Sequence, residues 1–239
     1  MRFLILLLAI PIAVSLQAFD HSAYDGLLKR HVNQEGMVDY AALKSDRESL
    51  DAYLQQTAAV TRTTFDRWSE AEQLAFLINV YNAETLQYII DNYPVESIKK
   101  LGSLLSSAWA RKNVGLFGKQ QSLDYLEHEL IRVEYADEPR IHFALVCAAV
   151  SCPRLRTEAF TGSRLEAQLE SQTRVFLNTP EKNRLEGNTL YLSPLFDWYE
   201  KDFTKGGKSV QEYVAPYMKG EVEGKKIRYT DYDWGLNKQ

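Results

Sequence analysis

The chain has 239 residues, of which 45% are hydrophobic, 12% aromatic and 25% charged, which is the composition of an ordinary globular protein. This composition excludes collagen-like, low-complexity and wholly disordered chains, because the apolar surface is large enough to offset the chain entropy. The formal net charge of −4 provides no basic field for phosphate backbones, which argues against a nucleic-acid binder. Two cysteines are too few for a disulfide scaffold, although they allow one bridge or one reactive thiol.

The first residues predict a secretory signal peptide over residues 1–18. Arg2 supplies a short positive region, and an apolar run of about fourteen residues follows from Phe3 to Leu16. This run is shorter than the roughly twenty residues of a membrane-spanning helix, and no later segment is apolar enough to span a membrane. We place cleavage after Ala18 and expect residues 19–239 to form one globular domain in the periplasm or outside the cell. An uncleaved anchor and a buried N-terminal helix are the alternatives.

Helical spacing of apolar residues predicts amphipathic helices from residue 19 to about residue 93. The longest of them begins at a capping box, Ser69-Glu70-Ala71-Glu72, and ends before Pro94. Apolar residues cover nearly all its faces, which predicts a buried central helix. Asn79 and Asn82 lie within it and must find hydrogen-bond partners there.

The remaining pattern mixes short helices and strands. Residues 141–150 are apolar without helical periodicity and lie between two prolines, which favours a buried strand over a helix. The whole chain therefore predicts a helix-dominated α+β domain with a buried central helix and a small antiparallel sheet. The other predicted elements are hairpins over 111–121 and 184–192, helices over 122–133 and 163–177 and from 193 and 209, and a strand over 225–234.

The densest cluster of chemistry-bearing residues contains His142, Cys147 and Cys152. A thiol enzyme needs a cysteine whose thiolate is favoured by a nearby histidine, and Cys152 is the better nucleophile because a bend before Pro153 can expose it. Neither strand nor helix geometry brings Cys147 to His142, so each could equally be a core residue. A Cys147–Cys152 bridge is a third alternative, and it requires a tight reversal of the chain at residues 149–151.

The other candidates have weaker patterns. His128 lies on a predicted helix without a second ligand at the spacing of a metal site, and the sequence has no phosphate loop or dinucleotide fingerprint, so no metal and no cofactor are expected. Trp198 and Tyr199 lie on a helix together with Asp202. Such an aromatic stripe is usually packing; the alternatives are a substrate platform and an aspartate that orients a catalytic histidine.

Four segments resemble a known family, the bacterial and plant "domain of unknown function" family number 547. The resemblance extends over about residues 65–205, and it implies a secreted member of a family without an established activity, so it transfers no catalytic residue. The order of the elements is also similar to papain-like and transglutaminase-like folds, which is a fold-level analogy alone. The four matching segments are 75–83, 126–128, 139–153 and 193–203.

We expect the motif residues Asn79, Asn82, His128 and His142 to form a polar network with Arg140 or Asp202. Two functions remain open at this point. The first is an exported envelope protein that acts as a binding or scaffold domain for an envelope protein or a peptide-like ligand. The second is a periplasmic thiol hydrolase or acyltransferase that cleaves peptide or cell-wall amide bonds, with the cysteines, histidines and Asp202 as catalytic residues.

Overall fold

The structure is a computed structural model that describes residues 18–103 and 106–239. The predicted signal peptide, except its last residue, lies outside the described residues. No helix within the described ranges is both long enough and apolar enough to cross a bilayer.

The predicted N-terminal helices are confirmed as α1 (Ser22–His31), α2 (Tyr40–Ser45), α3 (Arg47–Ala58) and α4 (Arg62–Phe65). Their apolar faces pack on one another and on the long helix that follows. Asp39 and Thr61 accept hydrogen bonds from the first turns of α2 and α4, which satisfies backbone donors that a helix start leaves free.

The predicted central helix is α5 (Glu70–Asn92), and it is buried along most of its length. Both halves of its capping box are formed: the Ser69 hydroxyl accepts from the Glu72 amide, and the Glu72 carboxylate accepts from the Ser69 amide. The N-terminal half of α5 lies in one core cluster and its C-terminal half in another. The helix therefore connects the α1–α3 layer to the rest of the molecule.

The remaining elements are short helices and strands, and the strands form two small sheets. The antiparallel hairpin β1–β2 forms one sheet; in the other, β3 and β4 are antiparallel, whereas β5 pairs with β4 in parallel. The α+β prediction is confirmed. These elements are β1 (Lys112–Leu116), β2 (Lys119–Ser122), a π-helix (Tyr125–Ile131), α6 (Arg132–Glu134), α7 (Leu165–Leu177), β3 (Arg184–Glu186), β4 (Thr189–Leu192), α8 (Leu195–Trp198), α9 (Glu200–Phe203), α10 (Val210–Val214) and β5 (Lys226–Tyr229).

The predicted strand over residues 141–150 is wrong. Pro139–Phe143 is a short 3-10 helix, and the chain then turns repeatedly up to Cys152. Asn82 of α5 binds the Ala144 carbonyl and the Val146 amide, at 2.9 Å each, so these groups are not available for a strand ladder. Ala148 has a φ of 60° and begins the reversal that a bridge between Cys147 and Cys152 requires.

The helix predicted from residue 163 begins two residues later, at Leu165. Gly162–Arg164 forms a 3-10 turn, and α7 begins at Leu165 without a side-chain cap. This turn lies against the first turn of α5: a Cβ at Gly162 would be 2.4 Å from the Glu72 Cγ. The start of α7 thus packs closely against the start of α5 and has no side-chain cap of its own.

Candidate functional site

A cleft of about 220 Å³ opens where the π-helix, the loop after Phe143, α8 and the C-terminal segment meet. Six aromatic side chains, Tyr81 among them, and one disulfide contribute to its wall, and we call it the aromatic cleft. Its defining residues are Trp109, Trp198, Tyr199, Tyr232, Trp234 and the Cys147–Cys152 pair.

Aromatic contacts connect the outer wall of the cleft. The ring centroids of Tyr232 and Trp234 are 4.5 Å apart, and those of Trp198 and Tyr232 are 4.9 Å apart. Trp109 packs edge-on against Trp234 at 5.8 Å. Trp198 is nonetheless 47% exposed, which is unusual for so large an apolar side chain. The cleft thus presents an aromatic surface to solvent.

Two carboxylates lie at the base of the cleft, and both come from the segment that follows β2. Glu127 is buried in the π-helix, and its two oxygens accept hydrogen bonds from the phenols of Tyr81, at 2.9 Å, and Tyr199, at 2.6 Å. Asp124 accepts a hydrogen bond from the Ser107 hydroxyl at 3.1 Å. None of the described residues that line the cleft is a lysine or an arginine.

A polar network lies behind Tyr199 and includes three of the predicted site residues. The Asp202 carboxylate accepts from His142 Nε2 and from Arg132 Nε, at 2.8 Å each. Arg132 also donates to His128 Nδ1 at 3.1 Å. Because a guanidinium group only donates, His128 Nδ1 is the acceptor in this hydrogen bond. The structure thus brings His128, His142 and Asp202 together, with Arg132 as the connecting residue.

His142 is almost completely buried and holds a side chain of the cleft wall in place. Its side chain is 1% exposed, and its ring stacks on Tyr199 at 4.0 Å. Burial lowers the pKa of His142, whereas the hydrogen bonds from His142 and Arg132 hold the pKa of Asp202 well below its usual range. The pair is thus a neutral imidazole that donates to an ionised carboxylate. Its effect is to fix the orientation of Tyr199, which in turn donates to Glu127.

The two cysteines form a disulfide, with Cα atoms 6.2 Å apart, so the bridge is the one of the three alternatives that the structure contains. Cys152 is buried and Cys147 is partly exposed. While the bridge is intact, neither sulfur is the free thiolate that a nucleophile requires.

Asn79, Asn82 and Arg140 do not join the network, which corrects that part of the sequence prediction. Asn79 exchanges two hydrogen bonds with the Phe160 backbone, and Asn82 binds the backbone after Phe143. Both amides therefore fix loops on α5. Arg140 forms ion pairs with Glu138 and Glu166 instead, because its position on the 3-10 helix directs it away from the cleft.

Several residues of the cleft were not predicted from the sequence. Glu127 stands next to the motif residue His128, but a regular α-helix would direct the two side chains apart, and the π-helix changes their relative positions. Trp109, Tyr232 and Trp234 lie in segments without a motif, and only tertiary contacts place them. The aromatic character of the stretch from Tyr229 to Trp234 was the one available signal.

Within the described ranges, no group of three or more His, Cys, Asp or Glu side chains is arranged to hold a metal ion. The residues that line the cleft offer aromatic faces, two carboxylates, the imidazole of His128 and a disulfide to whatever enters it.

Comparison with known proteins identifies one family. No curated protein and no solved structure matches the chain significantly, so the papain-like analogy stays a prediction. The model of the family described as "Protein of unknown function, DUF547" matches residues 65–177. This range contains α5, the π-helix, the disulfide and α7, and it ends before Trp198 and Asp202. The resemblance expected from the motifs is thereby confirmed: residues 65–177 of this chain match the DUF547 family.

Proposed function

We propose that this protein is an exported ligand-binding domain of the cell envelope whose aromatic cleft holds a small organic cation. The observation that carries the proposal is the combination of exposed aromatic faces with the carboxylates of Glu127 and Asp124 in one cavity. The face of an aromatic ring attracts a cation, and a partly desolvated carboxylate strengthens that attraction.

The charge of the cleft supports this ligand class. Lysine and arginine are absent from its described lining. Each oxygen of Glu127 accepts one phenol donor and has a further lone pair for an N–H group of a ligand. The carboxylates of Glu127 and Asp124 disfavour an anionic ligand.

The rigidity of the wall supports binding as the role of the site. Tyr199 is held by the stack on His142, by the hydrogen bond to Glu127 and by the Arg132 guanidinium 4.9 Å from its ring. A side chain fixed before binding loses little conformational entropy when the ligand arrives. The alternative of a thiol hydrolase or acyltransferase requires a free thiolate, and the disulfide provides none.

Titration calorimetry with a matched pair of ligands tests the proposal. Choline and 3,3-dimethylbutan-1-ol have nearly the same shape, but only choline is charged. We expect choline to bind at least about tenfold more tightly than the alcohol, because only the cation gains from the ring faces and carboxylates. Equal affinity for the two compounds, or no binding of either, would contradict the proposal.

Three variants assign the binding to this cleft. We expect Glu127→Gln and Trp198→Ala each to weaken choline binding by about tenfold, since each removes one source of attraction. Glu129 is an exposed neighbour of Glu127 on the π-helix, so Glu129→Gln is the matched control and should leave the affinity unchanged. A similar loss in all three variants would indicate nonspecific attraction to an acidic surface.

The export part of the proposal rests on residues 1–18 and has a separate test. Mass spectrometry of the protein purified from the envelope fraction of a producing bacterium should find Phe19 as the first residue. A chain that retains residues 1–18, or that stays in the cytoplasmic fraction, would contradict export by cleavage.

A further inference from the structure

We propose that the Cys147–Cys152 disulfide is a thiol–disulfide exchange centre that oxidises low-molecular-weight thiols entering the aromatic cleft. This activity goes beyond ligand binding and does not depend on the charge preference proposed above. The first observation is location: both cysteines line the cleft wall, so a molecule in the cleft lies beside the bridge.

The two sulfurs differ in access and in hydrogen bonding. Cys147 is partly exposed, whereas Cys152 is only 2% exposed. The backbone amide of Cys147 donates to Cys152 Sγ at 3.1 Å, and the Tyr232 hydroxyl lies 3.2 Å from Cys152 Sγ and 3.4 Å from Cys147 Sγ. An incoming thiolate can therefore reach Cys147, while the amide and the nearer contact of the phenol stabilise Cys152 as the leaving thiolate.

Lys182 adds a positive charge on the Cys152 side. Its ammonium group lies largely inside the protein, where it donates to the Cys152 carbonyl and lies 5.7 Å from the Phe176 ring centroid. Burial lowers the pKa of Lys182 to about 8, and the charge of the adjacent Glu181 acts against this shift, so the ammonium form predominates at neutral pH. A thiolate that forms on Cys152 is stabilised by this charge.

The reaction balances as a two-electron exchange. A substrate thiolate attacks Cys147 Sγ, the Cys147–Cys152 bond breaks, and Cys152 leaves as a thiolate. A second substrate thiolate then attacks the substrate sulfur of the mixed disulfide and expels Cys147 as a thiolate. The substrate is oxidised to a disulfide and the cysteine pair is reduced. A disulfide-bearing oxidant regenerates the bridge by the reverse exchange.

Hydrogen bonds that do not involve sulfur hold the loop around the disulfide, and they remain when the bridge is open. Asn82 holds the chain before Cys147, and the amides of Val150 and Ser151 donate to the carbonyls of Gly235 and Asp233. These hydrogen bonds are independent of the sulfur–sulfur bond. The loop therefore retains the positions of both sulfurs through a redox cycle.

The test is the rate at which 2-mercaptoethylamine reduces the native, folded protein, measured by alkylation of the released thiols and mass spectrometry. Each rate is divided by the rate of the same thiol with an unstructured reference disulfide. We expect the protein bridge to exchange faster than the reference. A bridge that is reduced only after denaturation would overturn the proposal.

The matched pair Tyr232→Phe and Tyr229→Phe tests the leaving-group argument. Tyr232→Phe removes the phenol donor and keeps the ring, so we expect exchange to slow by about tenfold. Tyr229 lies on β5 at the exposed surface, and Tyr229→Phe should leave the rate unchanged. An unchanged rate in Tyr232→Phe would overturn the assignment of Cys152 as the leaving group.

Two serine variants identify the attacked sulfur. We expect the single thiol of Cys152→Ser to form a mixed disulfide with oxidised glutathione at least about tenfold faster than that of Cys147→Ser, because only Cys147 is accessible. The reverse order would overturn the proposed direction of attack. Replacing 2-mercaptoethylamine by the anionic mercaptoacetate separates the two proposals, since equal normalised rates would contradict the cation preference and leave the exchange intact.

Discussion

Burying a polar side chain costs free energy unless hydrogen bonds offset it, and three residues of α5 show both outcomes. Asn79 and Asn82 bind backbone groups of distant loops, so the cost of burying two amides is offset by four hydrogen bonds. Glu84, two residues after Asn82 on α5, has less compensation. Burial raises the pKa of Glu84 to about 8, with only the Gly115 amide donating to it.

We predict that Glu84→Gln stabilises the protein at neutral pH. The pKa of Glu84 rises from 4.5 in the unfolded chain to about 8 in the folded protein, so its stabilising contribution is complete below pH 4.5 and declines as the pH rises towards 8. At pH 7 the substitution should raise the free energy of unfolding by about 2–3 kcal/mol. Urea denaturation at pH 4.5 and pH 7 measures this, and the gain should vanish at the lower pH.

At the scale of elements, local signals predicted those parts of the fold that local interactions determine. The capping box at Ser69 and the apolar faces of α5 were sufficient to predict the central helix, and the hairpin turns were equally clear. Residues 141–150 could not be predicted because the decisive contact, from Asn82, comes from about sixty residues away in the sequence. The cleft wall could not be predicted for the same reason, because it depends on contacts between residues that are distant in the sequence. Tyr232 contacts Cys152, which lies 80 positions earlier in the chain.

We predict that the contact between the turn before α7 and the start of α5 is sensitive to one methyl group. A Cβ at Gly162 would lie 2.4 Å from the Glu72 Cγ and 2.9 Å from the Glu72 nitrogen. Gly162→Ala should therefore lower the free energy of unfolding by about 1–3 kcal/mol.

Gly26, in the middle of α1, provides the matched control for Gly162. Its added Cβ would meet only the end of the Arg30 side chain at 3.5 Å, so Gly26→Ala should raise the free energy of unfolding by about 0.5–1 kcal/mol. Thermal denaturation of both variants measures these changes. An unchanged free energy of unfolding in Gly162→Ala would show that the two helix starts can move apart without destabilising the protein.

At the scale of the whole molecule, the C-terminal segment joins the N-terminal helices to the cleft. Asn237 is buried, and its side chain accepts from the Tyr40 phenol at 2.7 Å and donates to the Gly36 carbonyl at 3.3 Å. Its backbone amide donates to Ala148, beside the disulfide. One residue thus connects α2 to the loop that carries Cys147.

We predict that Asn237→Ala destabilises the whole fold. The substitution leaves the Tyr40 phenol and the Gly36 carbonyl without their partner, which should cost about 2–4 kcal/mol of unfolding free energy. Lys238 is exposed, and Lys238→Ala is the control that should change little. Chemical denaturation followed by circular dichroism measures both, and equal stability of Asn237→Ala and the parent would refute the connecting role.

We also predict that stability falls on the acid side because of buried histidines. Burial lowers the pKa of His21 from 6.5 to about 4, and burial lowers that of His142 as well. As the pH falls below 6.5 the unfolded chain takes up protons that the folded protein excludes, so the free energy of unfolding decreases towards pH 4. His21→Asn keeps a hydrogen-bonding partner for the Tyr53 phenol and should reduce this pH dependence, which melting temperatures between pH 4 and pH 6.5 measure.

The clustering of tryptophans has an optical consequence. Three of the four tryptophans, Trp109, Trp198 and Trp234, line the aromatic cleft, and the fourth, Trp68, is buried in the core around α5. Disulfides quench indole fluorescence, and this one contacts Tyr232, which packs on Trp198 and Trp234. Changes in the intrinsic emission of the protein should therefore report the cleft rather than the core. Without any label, it should brighten when the bridge opens and change when the cleft fills.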